Sequence, residues 1–135
     1  MSHSIRFTEQ ITISALHSLE SLELNNIENE KLYGDCFRKH GHDYKFQIEM
    51  EAQINDESGL ALDRNKLKEI LEQQLTENFQ AKFLNHHFDC TSGEALSLYL
   101  YKRLKTPLEA NLKNVQLIGL HIQETRKNWF SYSNV

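Results

Sequence analysis

Two segments, residues 10–17 and 40–50, alternate apolar and polar residues with a period of two, and this alternation constrains the fold most. One face carries Ile11, Ile13, Ala15 and His17 in the first segment, and His40, His42, Tyr44, Phe46, Ile48 and Met50 in the second. Side chains two apart on a strand point the same way, so both segments are predicted half-buried strands. If the strands pair as an antiparallel hairpin, the three imidazoles meet at one end of one face.

Two helical patterns follow these strands. Apolar residues recur at spacings of three and four from Arg64 to Phe79, which predicts an amphipathic helix. A second pattern opens at Thr91, with Glu94 three residues later as in a capping box. We expect Pro107 to end this second helix, because proline cannot donate a backbone hydrogen bond.

Period two returns near the C-terminus, where Ile118, Leu120, Ile122 and Glu124 share a face. A last strand is expected to begin near Trp129, and the polar segment 20–30 is expected to be a loop. The resulting order β-β-α-α-β-β predicts a single α+β domain over residues 1–135. It would contain a four-stranded antiparallel sheet with two helices on one face.

Composition excludes several function classes. The 135-residue chain has a net charge of −4 and no dense run of Lys and Arg, which argues against a nucleic-acid or membrane-surface partner. No apolar stretch approaches the roughly 18 residues of a membrane-spanning helix, and the first ten residues are too polar for a secretory signal. Cys36 and Cys90 are the only cysteines, which argues against a disulfide framework and for a cytoplasmic protein.

The three histidines predict a metal site. Three neutral imidazoles with an open fourth position form the ligand set of a catalytic zinc ion. His40 and His42 lie at i and i+2 on one strand face, and Gly41 between them admits close backbone approach. The alternative is that His17, His40 and His42 are polar residues capping the end of the sheet.

Two further residues are candidates near this site. Cys36 precedes His40 by four residues, and a thiol beside a metal or histidine would have a lowered pKa and could act as base or nucleophile. Glu124 ends an apolar strand face, where a carboxylate needs a polar partner and could anchor a ligand. The alternatives are a small buried apolar Cys36 and a Glu124 that lies in solvent past the core edge.

These residues resemble the 6-pyruvoyl tetrahydropterin synthase and 6-carboxytetrahydropterin synthase family. The matching segments are SALH ending at His17, CFRKHGHDY at 36–44, GLALDRNKLK at 59–68, TSGEAL at 91–96 and ET at 124–125. They occur in the family's order with near-family spacing and cover nearly the whole chain.

The resemblance implies the tunnelling fold, in which sheets from several subunits close into a barrel, commonly a homohexamer, with active sites at subunit interfaces. It also implies a role for each matching residue. His17, His40 and His42 would hold zinc, Cys36 would be the general base, Glu124 would anchor the guanidine-like edge of a pterin, and Thr91 and Ser92 would contact the substrate.

The substrate implied by the resemblance is 7,8-dihydroneopterin triphosphate, whose side-chain hydroxyls the zinc would hold. In the bacterial branch, loss of acetaldehyde and triphosphate gives 6-carboxytetrahydropterin, on the way to 7-deazaguanine nucleosides such as queuosine. In the biopterin branch, triphosphate elimination and internal redox give 6-pyruvoyl tetrahydropterin. We favour the carboxy branch from the sequence, although both branches share the ligands and the thiol.

This chain does not match one motif of the family, L-D-H-x-x-L-N. In the family, the Asp of this motif pairs with the His, and the His activates the catalytic Cys. On one register the Asp-His relay falls on Gln80-Ala81 and is absent. On a second register His86 is the relay and Asn85 replaces the Asp. Spacing favours the first register, although the HHFDC loop at 86–90 could supply the lost function or could simply be exposed.

Three functions therefore stand open. The chain could be an active zinc-dependent lyase, with His86 as a third catalytic residue beside Cys36 and Glu124. It could instead keep the zinc and pterin pocket with altered or lost catalysis. It could also be a non-enzymatic oligomeric scaffold, which would have no need of an open three-histidine site.

Overall fold

The computed structural model describes residues 3–134, and its centre is one antiparallel sheet. The strand order is β1-β2-β3-β4, each strand pairing with the next along the chain. The strands are β1 (Ser4–His17), β2 (His40–Gln53), β3 (Val115–Gln123) and β4 (Trp129–Ser133). The predicted four-stranded antiparallel sheet is confirmed, with β1 and β2 extending further from the histidine end than the alternation alone indicated.

The pairing of β1 with β2 brings the predicted histidines together. The register is unbroken from Ser4 opposite Gln53 to His17 opposite His40. His42 lies opposite Ala15, so His17, His40 and His42 are neighbours on one face at one end of the hairpin. The antiparallel pairing inferred from the two alternating segments is therefore confirmed.

A β-bulge interrupts the pairing of β2 with β3. Gly119 lies opposite Glu49 and Leu117 lies opposite Met50, so Ile118 has no partner in the register. A bulge inserts one residue and disturbs the alternation of faces. The expected strict alternation from Ile118 to Glu124 is therefore wrong at Ile118.

The segment 20–30, expected to be a loop, contains the start of a helix, α1 (Asn26–Tyr33). A capping box begins this helix: the Asn25 side chain accepts from Glu28 N at 2.8 Å, and the Glu28 side chain accepts from Asn25 N at 3.1 Å. These two bonds satisfy backbone donors that an uncapped helix would leave unpaired. The loop prediction holds for residues 20–25 and is wrong from Asn26 onward, because Asn25 caps the helix rather than breaking it.

The first predicted helix is confirmed over its whole length. It consists of α2 (Arg64–Leu71), a π-helical turn (Glu72–Thr76) and α3 (Glu77–Phe79). The Asp63 side chain caps its start by accepting from Asn65 N and Lys66 N. The expected apolar stripe is buried: Leu67, Ile70, Leu71, Leu75 and Phe79.

The second predicted helix is α4 (Gly93–Asn111), and its cap differs from the prediction. Ser92, not Thr91, is the N-cap, because its hydroxyl accepts from Ala95 N at 3.2 Å. Thr91 lies one residue earlier, with its side chain buried. This shift leaves Thr91 available for the histidine site described below.

Pro107 lies inside α4, so the expectation that it ends the helix was wrong. A proline in a helix interior removes one backbone hydrogen bond and costs about 3 kcal/mol. Leu104 and Leu108 flank it on the helix, and both are fully buried. Burial of two leucine side chains contributes roughly 3–6 kcal/mol, which is enough to continue the helix past the proline.

Helices α2, α3 and α4 form one apolar core with one face of the sheet. The Tyr101 hydroxyl of α4 donates to the Leu117 carbonyl of β3 at 3.1 Å, a polar link inside that interface. None of the helices within residues 3–134 is long and apolar enough to cross a lipid bilayer.

Candidate metal centre

His17, His40 and His42 form a compact cluster at the end of the β1–β2 hairpin. The ring centroids are 4.5 Å apart for His17 and His40, and 4.9 Å apart for the other two pairs. One ligand nitrogen from each ring lies within 4.8 Å of the others. Among residues 3–134 this is the one group of three or more potential ligands close enough to share a metal ion.

Backbone carbonyls orient two of the three rings. His17 Nδ1 donates to the Thr91 carbonyl at 2.9 Å, and His40 Nδ1 donates to the Arg38 carbonyl at 2.6 Å. A carbonyl can only accept, so Nδ1 carries the proton and Nε2 keeps its lone pair. Such outer contacts fix the tautomer and orientation of histidines that bind metals.

The electrostatics favour the neutral form of His17 and His42. Burial lowers the pKa of His17 from 6.5 to about 4, with smaller lowering from His40 and His42, and outweighs the raising effect of the Thr91 carbonyl. Burial also lowers the pKa of His42, and His40 adds to that effect. Neutral imidazole is the form that binds a metal ion, so the cluster is ready for a cation at neutral pH.

The free nitrogens have no partner within the described part of the chain. His17 Nε2 and His42 Nε2 are buried and make no hydrogen bond. Unpartnered buried polar atoms are rare in folded proteins and need an explanation such as an ion. Three clustered imidazoles, two of them with an orphaned nitrogen, fit the donor set of a catalytic zinc ion.

Glu124 lies beside the cluster, as the sequence predicted for a residue ending the β3 face. Its Oε1 is 3.8 Å from His42 Nε2, and its side chain is 15% exposed. Burial raises the pKa of the Glu124 carboxyl, Glu94 raises it further, and His40 opposes both. Glu124 is therefore inside the site rather than in solvent.

Three residues that support the site were not assigned this role from the sequence. The Thr91 hydroxyl donates to the Ser18 carbonyl at 3.0 Å. This bond holds Thr91 in place, and the carbonyl of Thr91 in turn accepts from His17. The Asn85 side chain accepts from Ser18 N and donates to the Ser18 carbonyl, both at 2.9 Å. Only the three-dimensional packing of 85–91 on the end of β1 reveals these contacts, since no local pattern marks them.

Cys36 lies in the turn before β2, in a short 3₁₀ helix (Gly34–Phe37). Its thiol is free and exposed, and its carbonyl accepts from Leu19 N at 2.8 Å. The alternative of a small buried apolar cysteine is therefore wrong. The role of base stays a prediction.

The HHFDC loop is exposed at both of its histidines. His86 packs edge-on against Phe83 at 4.9 Å and His87 against Phe79 at 5.3 Å. The Asn85 amide is bonded to Ser18, so it is occupied in a structural role. His86 as the relay therefore stays a prediction, and Ser92 and Thr91 have the structural contacts described above.

The fold and the cluster together define a class of protein: an α+β domain with three clustered histidines that could hold a metal ion, beside a partly buried carboxylate. The sequence model of the family "6-pyruvoyl tetrahydropterin synthase" matches residues 6–135. The chain belongs to this family.

Curated relatives agree with this assignment. The chain is 28% identical over 137 residues to 6-pyruvoyl tetrahydrobiopterin synthase of Dictyostelium discoideum, covering 98% of each protein. It is 30% identical over 132 residues to the Drosophila melanogaster protein of the same name, covering 93% of this chain and 77% of the relative.

A solved structure confirms the fold. The Caenorhabditis elegans 6-pyruvoyl tetrahydropterin synthase superposes with a TM-score of 0.85 at 24% identity, covering 98% of this chain and 97% of that one. The chain therefore has the subunit fold of the tunnelling-fold proteins, as the resemblance implied.

Proposed function

We propose that this protein is a zinc-dependent tetrahydropterin synthase that acts on 7,8-dihydroneopterin triphosphate. The observation that carries the proposal is the convergence of His17, His40 and His42 beside Glu124. A bound zinc ion would polarise the hydroxyl oxygens of the substrate side chain. Family membership supports the substrate, because the matched relatives are named for tetrahydropterin synthesis.

Residues of the chain would bind the substrate and transfer the proton. Glu124, held at the rim of the cluster, would accept hydrogen bonds from the guanidine-like edge of the pterin. Cys36, exposed in the turn before His40, would take the proton from the side-chain carbon. Thr91 and Ser92 lie at the start of α4, where Thr91 contacts the site through His17.

The proposal also has to choose between two products. The sequence favoured 6-carboxytetrahydropterin, formed with release of acetaldehyde. The curated relatives reported above are all named for 6-pyruvoyl tetrahydrobiopterin, which favours the pyruvoyl product instead. Incubation with dihydroneopterin triphosphate separates the two, because only the carboxy branch releases acetaldehyde.

The assignment of Cys36 is tested by Cys36→Ala, with Cys90→Ala as the matched control at the other free, exposed cysteine. We expect Cys36→Ala to keep its zinc and lose turnover by at least about 100-fold, the usual range for a general base. The Cys90 variant should behave like the wild type. Unchanged turnover in Cys36→Ala would remove the base assignment.

A second candidate is a protein that keeps the metal and pterin pocket with altered or lost catalysis. The first register of the relay motif, which the spacing of the sequence favours, supports it. Ala81 N donates to the Ser14 carbonyl and Leu16 N donates to the Lys82 carbonyl, so the segment is fixed along β1. If the relay dipeptide of the family falls on Gln80 and Ala81, as the spacing of the sequence favours, the chain lacks the Asp-His pair.

Restoring the relay tests this second candidate. Ala81 has a φ of 59°, a conformation that histidine adopts more readily than most residues. We expect the double variant Gln80→Asp/Ala81→His to raise turnover of dihydroneopterin triphosphate if the relay is missing. His86→Ala is the counterpart: a loss of turnover there would show that His86 is the relay and would contradict the first register.

The assembly is part of the same proposal. We propose a homo-oligomer, with a hexamer as the expected state, in which sheets of several subunits close into a barrel and complete the pocket. A cytoplasmic location is proposed from the two free cysteines, which suit a reducing compartment.

A further inference from the structure

Tyr44 is a buried residue whose hydroxyl has no hydrogen-bond partner among residues 3–134. Its side chain is 0% exposed. A buried hydroxyl without a partner is unfavourable, whereas phenylalanine of the same shape would avoid that cost. The other unpartnered buried side-chain atoms in the described chain are His17 Nε2 and His42 Nε2, so all three belong to one site.

Tyr44 is a neighbour of both the histidines and Glu124. Its ring packs edge-on against His17 at 5.9 Å and His42 at 5.4 Å between centroids. Lys45 pairs with Gln123 in the antiparallel register of β2 and β3, so Tyr44, one residue before Lys45, comes opposite Glu124, one residue after Gln123. Burial raises the pKa of the Tyr44 hydroxyl, and the nearby Glu124 carboxylate raises it further, so the hydroxyl keeps its proton.

The Glu124 carboxylate faces His42 Nε2 at 3.8 Å. At this distance the two groups make no hydrogen bond. A metal bound at the cluster would take the lone pair of that same nitrogen, so His42 could not donate to Glu124 in the metal-bound state either. The Glu124 carboxylate would then need another donor, and the Tyr44 hydroxyl beside it has no acceptor. A hydrogen bond between the two satisfies both groups.

We propose that Tyr44 is a positioning residue whose hydroxyl donates to the Glu124 carboxylate when a metal occupies the three histidines. The bond holds the carboxylate in place for its ligand. This inference rests on the proposed function, because it requires a metal at the cluster. Since the bond forms only in the metal-bound state, it adds to metal affinity by linkage.

The test is the zinc affinity of Tyr44→Phe, measured by competition with a chromophoric chelator at pH 7.5. We expect the zinc Kd to rise about tenfold or more, the size of a hydrogen bond to a charged group. In a Glu124→Ala background the same Tyr44→Phe change should leave the zinc Kd unaltered, because Tyr44 acts through Glu124. Equal rises in the two backgrounds would overturn the inference.

Tyr101→Phe is the matched control, because the Tyr101 hydroxyl is buried and already donates to the Leu117 carbonyl. In the metal-free protein we expect Tyr101→Phe to lower the melting temperature and Tyr44→Phe to leave it unchanged or raise it. A metal-free Tyr44→Phe that melts lower would show that the hydroxyl already has a partner, which contradicts the inference.

Two outcomes separate this inference from the proposed function. A wild-type chain that binds zinc, with an unchanged zinc Kd in Tyr44→Phe, overturns only the role of Tyr44. A wild-type chain that binds no zinc overturns the proposed function and the role of Tyr44 together.

Discussion

His17 shows at the scale of one residue how the fold prepares the site. Its side chain is 1% exposed, and its Nδ1 is held by the Thr91 carbonyl. Burial therefore keeps the ring neutral, while the carbonyl directs the free nitrogen toward His40 and His42. A histidine with this environment is poor at taking a proton and well prepared to bind a cation.

The stability of the metal-free protein should fall as pH drops. The pKa of His17 is about 4 in the folded chain against 6.5 for the unfolded residue, so the unfolded state takes up the proton first. The stabilisation is full above pH 6.5 and is lost as pH falls toward 4, by up to about 3 kcal/mol. Urea unfolding between pH 7.5 and 4.5 measures this loss.

The control for the pH prediction is His17→Gln, which can still donate to the Thr91 carbonyl but does not titrate. The lowered pKa of His42 acts in the same direction as that of His17, and the raised pKa of Glu124 acts in the opposite direction. Both effects remain in the variant, so the difference between the two proteins isolates His17. Identical pH profiles would contradict the assigned shift.

At the scale of single residues, the sequence predicted which residues cluster at the candidate site and missed the residues that support them. His17, His40, His42 and Glu124 were assigned because period two places them on shared strand faces. Thr91 and Asn85 act through contacts more than 60 residues distant in sequence, which no local pattern encodes. Tyr44 was placed on the correct face, but its orphaned hydroxyl is a property of packing alone.

At the scale of secondary-structure elements, the start of α4 contacts the site, because the Thr91 carbonyl just before this helix accepts from His17. Gly93 is its first residue, and a Cβ added there would overlap the ring of Phe130 in β4. The close approach brings the preceding Thr91 carbonyl over His17. A side chain at position 93 would therefore push the helix start away from the sheet.

Gly93→Ala should destabilise the protein by about 1–3 kcal/mol, the usual cost of overpacking. Urea unfolding of the metal-free protein measures this directly. In a Phe130→Ala background the substitution should be neutral or stabilising, since alanine forms helix better than glycine. The same loss in both backgrounds would show that Phe130 is not the cause.

Elements were predictable where one periodicity dominated and unpredictable where tertiary packing overrode a local rule. The four strands and the helix from Arg64 to Phe79 follow from their apolar patterns. Helix α1 was missed because its asparagines are loop formers except in a capping box. Pro107 was wrongly expected to end a helix, because burial of the leucines on either side outweighs the cost of a proline in the helix. The bulge at Ile118 was not predicted, because the apolar pattern of the sequence does not indicate it.

At the scale of the whole molecule, the outer edge of β1 is open to another chain. No strand pairs with that edge along residues 4–13 within residues 3–134, and Leu16 makes only an isolated bridge to Phe83. Ser14 N and Leu16 N point to this edge, as their bonds to Gln80 and Lys82 show. By alternation the N–H of Thr8 also points outward.

Thr8→Pro should therefore lower the oligomeric state without unfolding the subunit. Proline removes an N–H that no residue of the same sheet uses, which is tolerated on an edge strand. Light scattering with size-exclusion chromatography measures the assembly, and circular dichroism checks the fold. Thr8→Val is the control and should assemble like the wild type; an intact assembly in Thr8→Pro would show that this edge is not an interface.

The most direct test of the central claim is the zinc content of the purified protein, measured by inductively coupled plasma mass spectrometry after exposure to zinc and desalting. We expect about one zinc per chain, lost in His17→Ala and in His42→Ala. The control His121→Ala should keep it, because His121 bonds Ser131 away from the cluster. A wild-type chain without zinc, or a His42→Ala chain that retains it, would contradict a metal centre at these three histidines.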